Sequence, residues 1–431
     1  MDIVCYTFCS NLAESHRPGA VVHPPSPTHP ARPAVPDAAP SATHPADTAV
    51  GRLLFLDWLR IAAFAWLVAY HVGMVYVTWD FHVKSPFAGP ALEPWMKLSE
   101  PWRMSLVFAV SGAATALMLR TRAAGPLLRS RSRRLLLPLL CGMVLVLPPQ
   151  AYVEVVQKFG YPGSMVDFLG LYFSAYGGFC GDRGCLVLPT WNHLWFLPYL
   201  WAYTALVCGL AAWAPRLAHA LARTGQTVLG GPALWLLPAL AIFAFRVALL
   251  PRYPSTHAFW GDLYNHAVYF TMFLSGMALA TAPGAWARLA RARWPALGLA
   301  LACWALWVNG VPAGALRAAV VATFQWAAVV AATGWAVHRL NVDAPWRAEL
   351  TEAVFPVYLL HQTVLIVATY ALAPLRWPPG VEAPVLVGLT FGLSYLGYRL
   401  LRRVDRARPW FGMGPRRDVI ATDFSPSKHP K

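Results

Sequence analysis

Apolar runs of about 18 to 25 residues recur along nearly the whole chain after Leu53, and that is the length a helix needs to cross the ~30 Å hydrocarbon core of a bilayer. Few folds accommodate them. In lipid each run satisfies its own backbone polar groups as a helix, whereas in water so much contiguous apolar surface has no place to bury. Composition agrees: of 431 residues, 57% are hydrophobic and 13% charged, against roughly a quarter charged in an average soluble domain. A soluble globule is excluded. The predicted fold class is all-α, a polytopic membrane protein with about ten transmembrane helices, placed near 53–77, 103–119, 135–153, 191–213, 233–250, 265–281, 296–311, 315–338, 351–373 and 384–401.

The formal net charge of +16 would suggest nucleic acid in a soluble protein, but here the basic residues lie between apolar runs instead of forming one patch. No nucleic-acid partner is expected. Lys and Arg are retained on the cytoplasmic side of a membrane, and alternate connections carry them unequally, 21 on one side against 6 on the other. That alternation predicts an even number of spans with both termini cytoplasmic. Residues 1–50, rich in Pro, Ala and His, have too little apolar surface to fold and are predicted to be a disordered cytoplasmic tail. They lack the pattern of a cleaved signal peptide, so the first span is expected to be kept as an anchor. Residues 51–405 form the membrane domain. Residues 406–431 form a basic cytoplasmic tail suited to acidic headgroups.

The seven Cys show no C-x2-C pair and no His at zinc-ligand spacing, so no metal site is predicted. Cys180 and Cys185 lie in the longest outer connection, with four residues between them that include Gly181 and Gly184. Two readings stand, a small disulfide loop in an oxidising exterior or two unpaired thiols.

Ionisable residues inside a span are costly and mark candidate sites. The first span carries Asp57, Arg60 and His71. Asp57 and Arg60 stand at i and i+3, where they can pair. Arg60 and His71 are eleven residues apart, about three turns, which places them on one stripe separated by roughly 16 Å. They cannot touch. His71 has the chemistry of a general base for a hydroxyl, or of an acyl carrier, and Arg60 that of an anion or oxyanion anchor. The bland reading is a snorkelling ion pair with an interfacial His. Further polar markers near span ends are Arg103, Ser111, Arg131 with Arg134, His193 beside Trp195, His266 and His361. Each alone reads equally as an interfacial belt, a packing residue or a topology signal.

Taken in order, these residues resemble the acyltransferase 3 family of integral membrane proteins. The resemblance is carried by Leu56-Asp57-x-x-Arg60 with His71, by Arg103 to Gly112, by Arg131-x-x-Arg134-x-x-x-Pro138, by Leu147-Pro148-Pro149-Gln150, by His193-Leu194-Trp195-Phe196-Leu197 and by Tyr358-Leu-Leu-His361. The stretch Tyr76 to Ser85, with Trp79 and Phe81-His82-Val83-Lys84, narrows it toward the branch that succinylates osmoregulated periplasmic glucans. The resemblance implies an enzyme moving an acyl group, succinyl or acetyl, from a cytoplasmic acyl-CoA-type donor to hydroxyls of a periplasmic glucan or other envelope glycan. It implies no tightly bound cofactor, with succinyl-CoA or acetyl-CoA as co-substrate. His71, Arg60 and Asp57 map to the catalytic positions, Asp57 orienting Arg60. Arg131 and Arg134 map to donor binding, and Arg103, Ser111, His193, Trp195 and His361 to substrate-binding or supporting positions. The alternative from another class is a transporter or flippase for a polar glycan. Its usual signs are discontinuous spans and two related halves. Phe108-Ala-Val-Ser111-Gly112 and Phe270 to Gly276 echo each other and Pro198, Pro238 and Pro356 interrupt spans, but the two Ser-Gly spans share one orientation and give no inverted repeat.

Overall fold

The structure, a computed structural model, describes residues 53–181 and 184–415. The expected tails at 1–50 and beyond 415 lie outside the described residues. The chain is an all-α polytopic membrane protein. Its helices are α1 (Leu54–Met74), short α2 (Glu93–Lys97), α3 (Glu100–Leu119), α4 (Ala124–Cys141), α5 (Leu147–Phe159), α6 (Met165–Phe173), α7 (Phe196–Trp213), α8 (Pro215–Gly230), α9 (Ala233–Ala248), α10 (Leu263–Thr281), α11 (Ala285–Val308), α12 (Ala315–Arg339), α13 (Arg347–Leu372) and α14 (Pro379–Leu401).

Among the described residues, seven helices are long and apolar enough to cross a membrane, and nine if two bent pairs count as one span each. About ten were expected. Part of the difference is length: α9 has 16 residues, about 24 Å of rise, short of the ~30 Å core. It turns by 109° against the amphipathic α8. Part is charge: α11 begins with Arg288, Arg291 and Arg293, which leaves a shortened apolar stretch, and it meets α10 at 119°.

Small residues set the closest helix contact. A side chain on Gly112 of α3 would sit 1.9 Å from the Phe273 carbonyl of α10, and one on Gly276 would sit 1.8 Å from the Ala109 carbonyl. The two Ser-Gly stretches that echo each other in the sequence therefore pack directly on one another.

α4 continues into α5 through a π-turn at Gly142–Val146. Pro148 and Pro149 have no N–H to give to the turn before them, and carbonyls of this stretch accept hydroxyls from other helices. The Tyr172 hydroxyl donates to Met143 O at 2.8 Å and the Thr363 hydroxyl to Val146 O at 2.9 Å. Cys180 and Cys185 are joined as a disulfide across a two-stranded turn.

The segment 75–89 folds back over the end of α1. The Lys84 ammonium caps that helix end, donating to the carbonyls of Met74 at 2.6 Å and Val77 at 2.7 Å. His82 meets Glu154 of α5 at 2.5 Å, and Lys158 bridges Glu154 and Asp80. Tyr76 and Ser85 donate to the buried Glu382 of α14. The polar residues of 76–85 thus fasten a strap across the His71 end of the first helix.

Candidate active site

The two ends of α1 are built differently. At its first turn Asp57, buried, receives Arg347 of α13 at 2.5 Å, and Arg347 also holds Asp343 at 2.7 Å. Trp58 Nε1 donates to Val342 O at 2.9 Å. This ion pair, 290 residues apart in sequence, clamps α1 to the connection before α13. The sequence, which placed Asp57 beside Arg60, carried no sign of this partner on a distant helix.

Arg60 is 3% exposed and lines a small pocket with Phe64, Phe196, Thr351, Val354, Phe355 and Tyr358. Arg131 of α4 is buried and donates to the Thr115 hydroxyl at 3.1 Å, within electrostatic reach of both Arg60 and the half-buried Arg134. Three guanidinium groups therefore gather in one region from two helices. Like charges held together in a poorly solvated place favour an anion between them.

A second, apolar groove of about 420 Å³ lies between α1, α13 and α14. It shares Phe64, Val354 and Tyr358 with the Arg60 pocket and runs past Val357 to His361. Ala65 and Gly392 are its exposed rim. From Leu350 to His361 along α13 is about 16 Å of helix rise.

At the other end of α1 three histidines meet. His71 Nδ1 lies 2.9 Å from His361 Nε2, with the rings stacked at 5.1 Å. His361 Nδ1 lies 2.7 Å from the Tyr358 carbonyl. A carbonyl only accepts, so His361 carries its proton on Nδ1 and offers the Nε2 lone pair. With both rings neutral, His71 then donates from Nδ1, and its own Nε2 is left as a lone pair. That is the tautomer a general base requires.

His193 enters from a short 3-10 turn, its Nε2 donating to the carbonyls of Tyr358 at 3.1 Å and Leu359 at 3.3 Å. The Tyr358 hydroxyl returns a bond to His193 O at 2.6 Å. Tyr358 is the hub of the cluster, and the sequence named it only as part of a motif.

Next to this centre, Tyr70 carries the Arg103 guanidinium on its ring at 3.5 Å. Beyond Arg103 lies an aromatic wall. The Trp195 ring lies tilted against His257 at 4.1 Å and Tyr269 at 5.4 Å, and Tyr199 stacks on His266 at 4.4 Å. Buried Asp262 organises the loop beneath, accepting from the Tyr199 hydroxyl, His257 N and Asn265 Nδ2. Burial holds the His257 imidazole down to about 4, against the opposing pull of Asp262. Ser111 is placed elsewhere, fully buried at the α3–α10 contact with its hydroxyl on Val107 O at 2.7 Å.

The structure thus brings His71, His361 and His193 together, sets Arg103 and Trp195 at their side, and collects Arg60, Arg131 and Arg134 at the opposite end. The acyltransferase domain family matches residues 53–399. The chain belongs to the acyltransferase 3 family. It is an acyltransferase of the membrane. The match spans every residue of the site just described. No curated protein and no solved structure matches. Sequence reasoning missed Arg347, counted only as one positive charge in a connection, and the Glu154 and Glu382 anchors of the strap. Each is a partner from a distant helix, for which local spacing carries no signal.

Proposed function

We propose that this acyltransferase moves a succinyl or acetyl group from a cytoplasmic acyl-CoA-type donor to a hydroxyl of a periplasmic glucan or another envelope glycan, within a bacterial inner membrane and with both termini cytoplasmic. The observation that carries this reading is the chain Tyr358 O, His361, His71, which leaves a lone pair on His71 Nε2 at the outer end of the first span.

On this reading the donor phosphates rest among Arg60, Arg131 and Arg134, as anions do with convergent guanidinium groups. The roughly 16 Å between Arg60 and His71 is spanned by the long arm of the coenzyme. The apolar groove and the Arg60 pocket, which share Phe64 and Tyr358, support such a passage. A sugar ring lies against Trp195, Tyr269 and His257, whose faces suit the apolar faces of a pyranose. His71 Nε2 takes the proton from the sugar hydroxyl as its oxygen bonds to the thioester carbonyl carbon. The tetrahedral intermediate then expels the sulfur, which takes that proton from His71 and leaves as the thiol. Enclosure keeps water from competing as the nucleophile.

Mass spectrometry of periplasmic glucans tests this, using cells lacking the protein complemented with the native chain, His71→Ala or Arg60→Ala at matched membrane levels. Substituents that return only with the native chain support it and name the acyl group. Unchanged glucans would overturn the acceptor and move the search to other envelope glycans.

A further inference from the structure

The Arg60 pocket is lined for a polar ligand and has no room for one. Thr351, 5% exposed, lines it, and the Thr351 hydroxyl is buried with no hydrogen-bond partner among the described residues. A hydroxyl shut away from both water and protein is costly until something completes it. Yet the cavity measures about 10 Å³, space for roughly one water molecule, and a phosphate group needs far more. Phe355 forms one wall, and Gly412 stands directly behind its ring: a Cβ on Gly412 would fall 2.4 Å from it.

Gly412 belongs to a hook, residues 402–414, that follows α14 and contains the 3-10 turn Arg408–Phe411. The turn packs on α4, which carries Arg131 and Arg134, and on α13, which carries Thr351 and Phe355. The hook thus bridges the two helices that supply the arginine cluster and the pocket wall. The matched domain ends at residue 399, so the hook lies outside it.

One side chain fastens the hook. Arg408, 6% exposed, meets Glu352 of α13 at 2.5 Å and donates from Nε to Gly414 O at 2.7 Å and from Nη1 to Arg402 O at 3.0 Å. Glu352 lies between Thr351 and Phe355, so the fastening and the pocket share one turn of helix. Gly412, Met413 and Gly414 are buried beside Arg408, whereas Arg403 to Arg406, Pro409 and Trp410 are exposed. A short segment with so few buried contacts opens at lower free energy than the helices around it.

We infer that the hook is the door of the donor site, with Arg408 and Glu352 as its latch: it holds Phe355 over Arg60, and its release admits the phosphates of the acyl donor. This rests on the donor reading above and concerns entry to the site, not the chemistry. Arg408 touches no reacting atom. Donor binding is scaled by the fraction of molecules whose door is open, so weakening the latch strengthens binding.

The test titrates full-length protein in nanodiscs with radiolabelled succinyl-CoA. Arg408→Gln and Glu352→Gln are each expected to bind it about tenfold faster and correspondingly tighter than the native chain. Damage to the fold would weaken binding, so a gain does not arise from misfolding. Should both variants unfold, the door is shut covalently instead. With Glu352→Cys and Arg408→Cys joined by a short reducible linker, binding should fall about tenfold or more and return on reduction, while the single-cysteine controls treated alike keep theirs. Unchanged or weaker binding by folded glutamine variants, or full binding by the linked pair, overturns the door and leaves the donor site standing. Absence of succinyl-CoA binding in the native chain and every variant overturns the donor reading and the door together.

Discussion

Replacing His361 by alanine leaves His71 Nδ1–H facing empty space where a ring nitrogen stood 2.9 Å away. His361 is fully buried, so water is not at hand to take its place. A buried donor stripped of its acceptor costs about 1–3 kcal/mol. The cost falls on the tautomer that presents Nε2 to substrate and rises as His71 becomes cationic in the transition state, when its Nδ1–H bond is strongest. At about 1.4 kcal/mol per tenfold, kcat should drop roughly 10- to 100-fold. KM for the glycan should hold within about twofold, because no ground-state contact to the sugar is removed. His361→Gln keeps an oxygen able to accept from Nδ1–H and should lie within about tenfold of native. The assay is the initial rate of acyl incorporation by reconstituted protein, with thermal unfolding to confirm folding. Native kcat in His361→Ala, or equal losses in the alanine and glutamine variants, would refute the relay.

Asp57→Asn removes one member of a buried pair and should destabilise by about 3–5 kcal/mol, read as a lower unfolding temperature in detergent; an unchanged temperature would contradict the clamp between α1 and α13. Gly112→Ala and Gly276→Ala each force a methyl group to within 2 Å of a carbonyl oxygen, so each should cost at least ~1–3 kcal/mol, and normal stability in either would mean α3 and α10 are not in contact as described. His257 takes its proton near pH 4 in the folded state and near 6.5 when unfolded. Its folded value is depressed, so the unfolded state binds the proton first and stability falls as pH drops from about 6.5 to 4, by no more than ~3 kcal/mol. His257→Asn should flatten that part of the stability profile; a native-like slope would show that other groups set it.

The membrane class and the positions of most helices were legible because apolar run length is a local property. The stripe joining Arg60 to His71 was legible for the same reason, since helical geometry fixes which residues of one helix share a face. What the sequence left open is which helices meet. The ion pair of Asp57 with Arg347 closes on α13, a partner no local spacing points to. His71 and His361 were both singled out, but their 2.9 Å bond depends on the packing of α1 against α13. Phe108 to Gly112 and Phe270 to Gly276 echo each other in the sequence, and the two helices that carry them meet at those small residues. The sequence placed one continuous span over 135–153, and neither the π-turn inside it nor the hydroxyls of Tyr172 and Thr363 on its carbonyls was foreseen. Among the described residues there are seven to nine spans where about ten were expected, the margin lying in the short α9 and the arginine-opened α11.

The account turns on His71 as the base. The direct measurement is acyl transfer from labelled acyl-CoA to glucan by purified protein in liposomes, comparing the native chain with His71→Ala and His71→Gln of equal thermal stability. The account predicts transfer by the native chain and a loss of about 10²–10⁴-fold in both variants. Transfer at the native rate by either variant would contradict it.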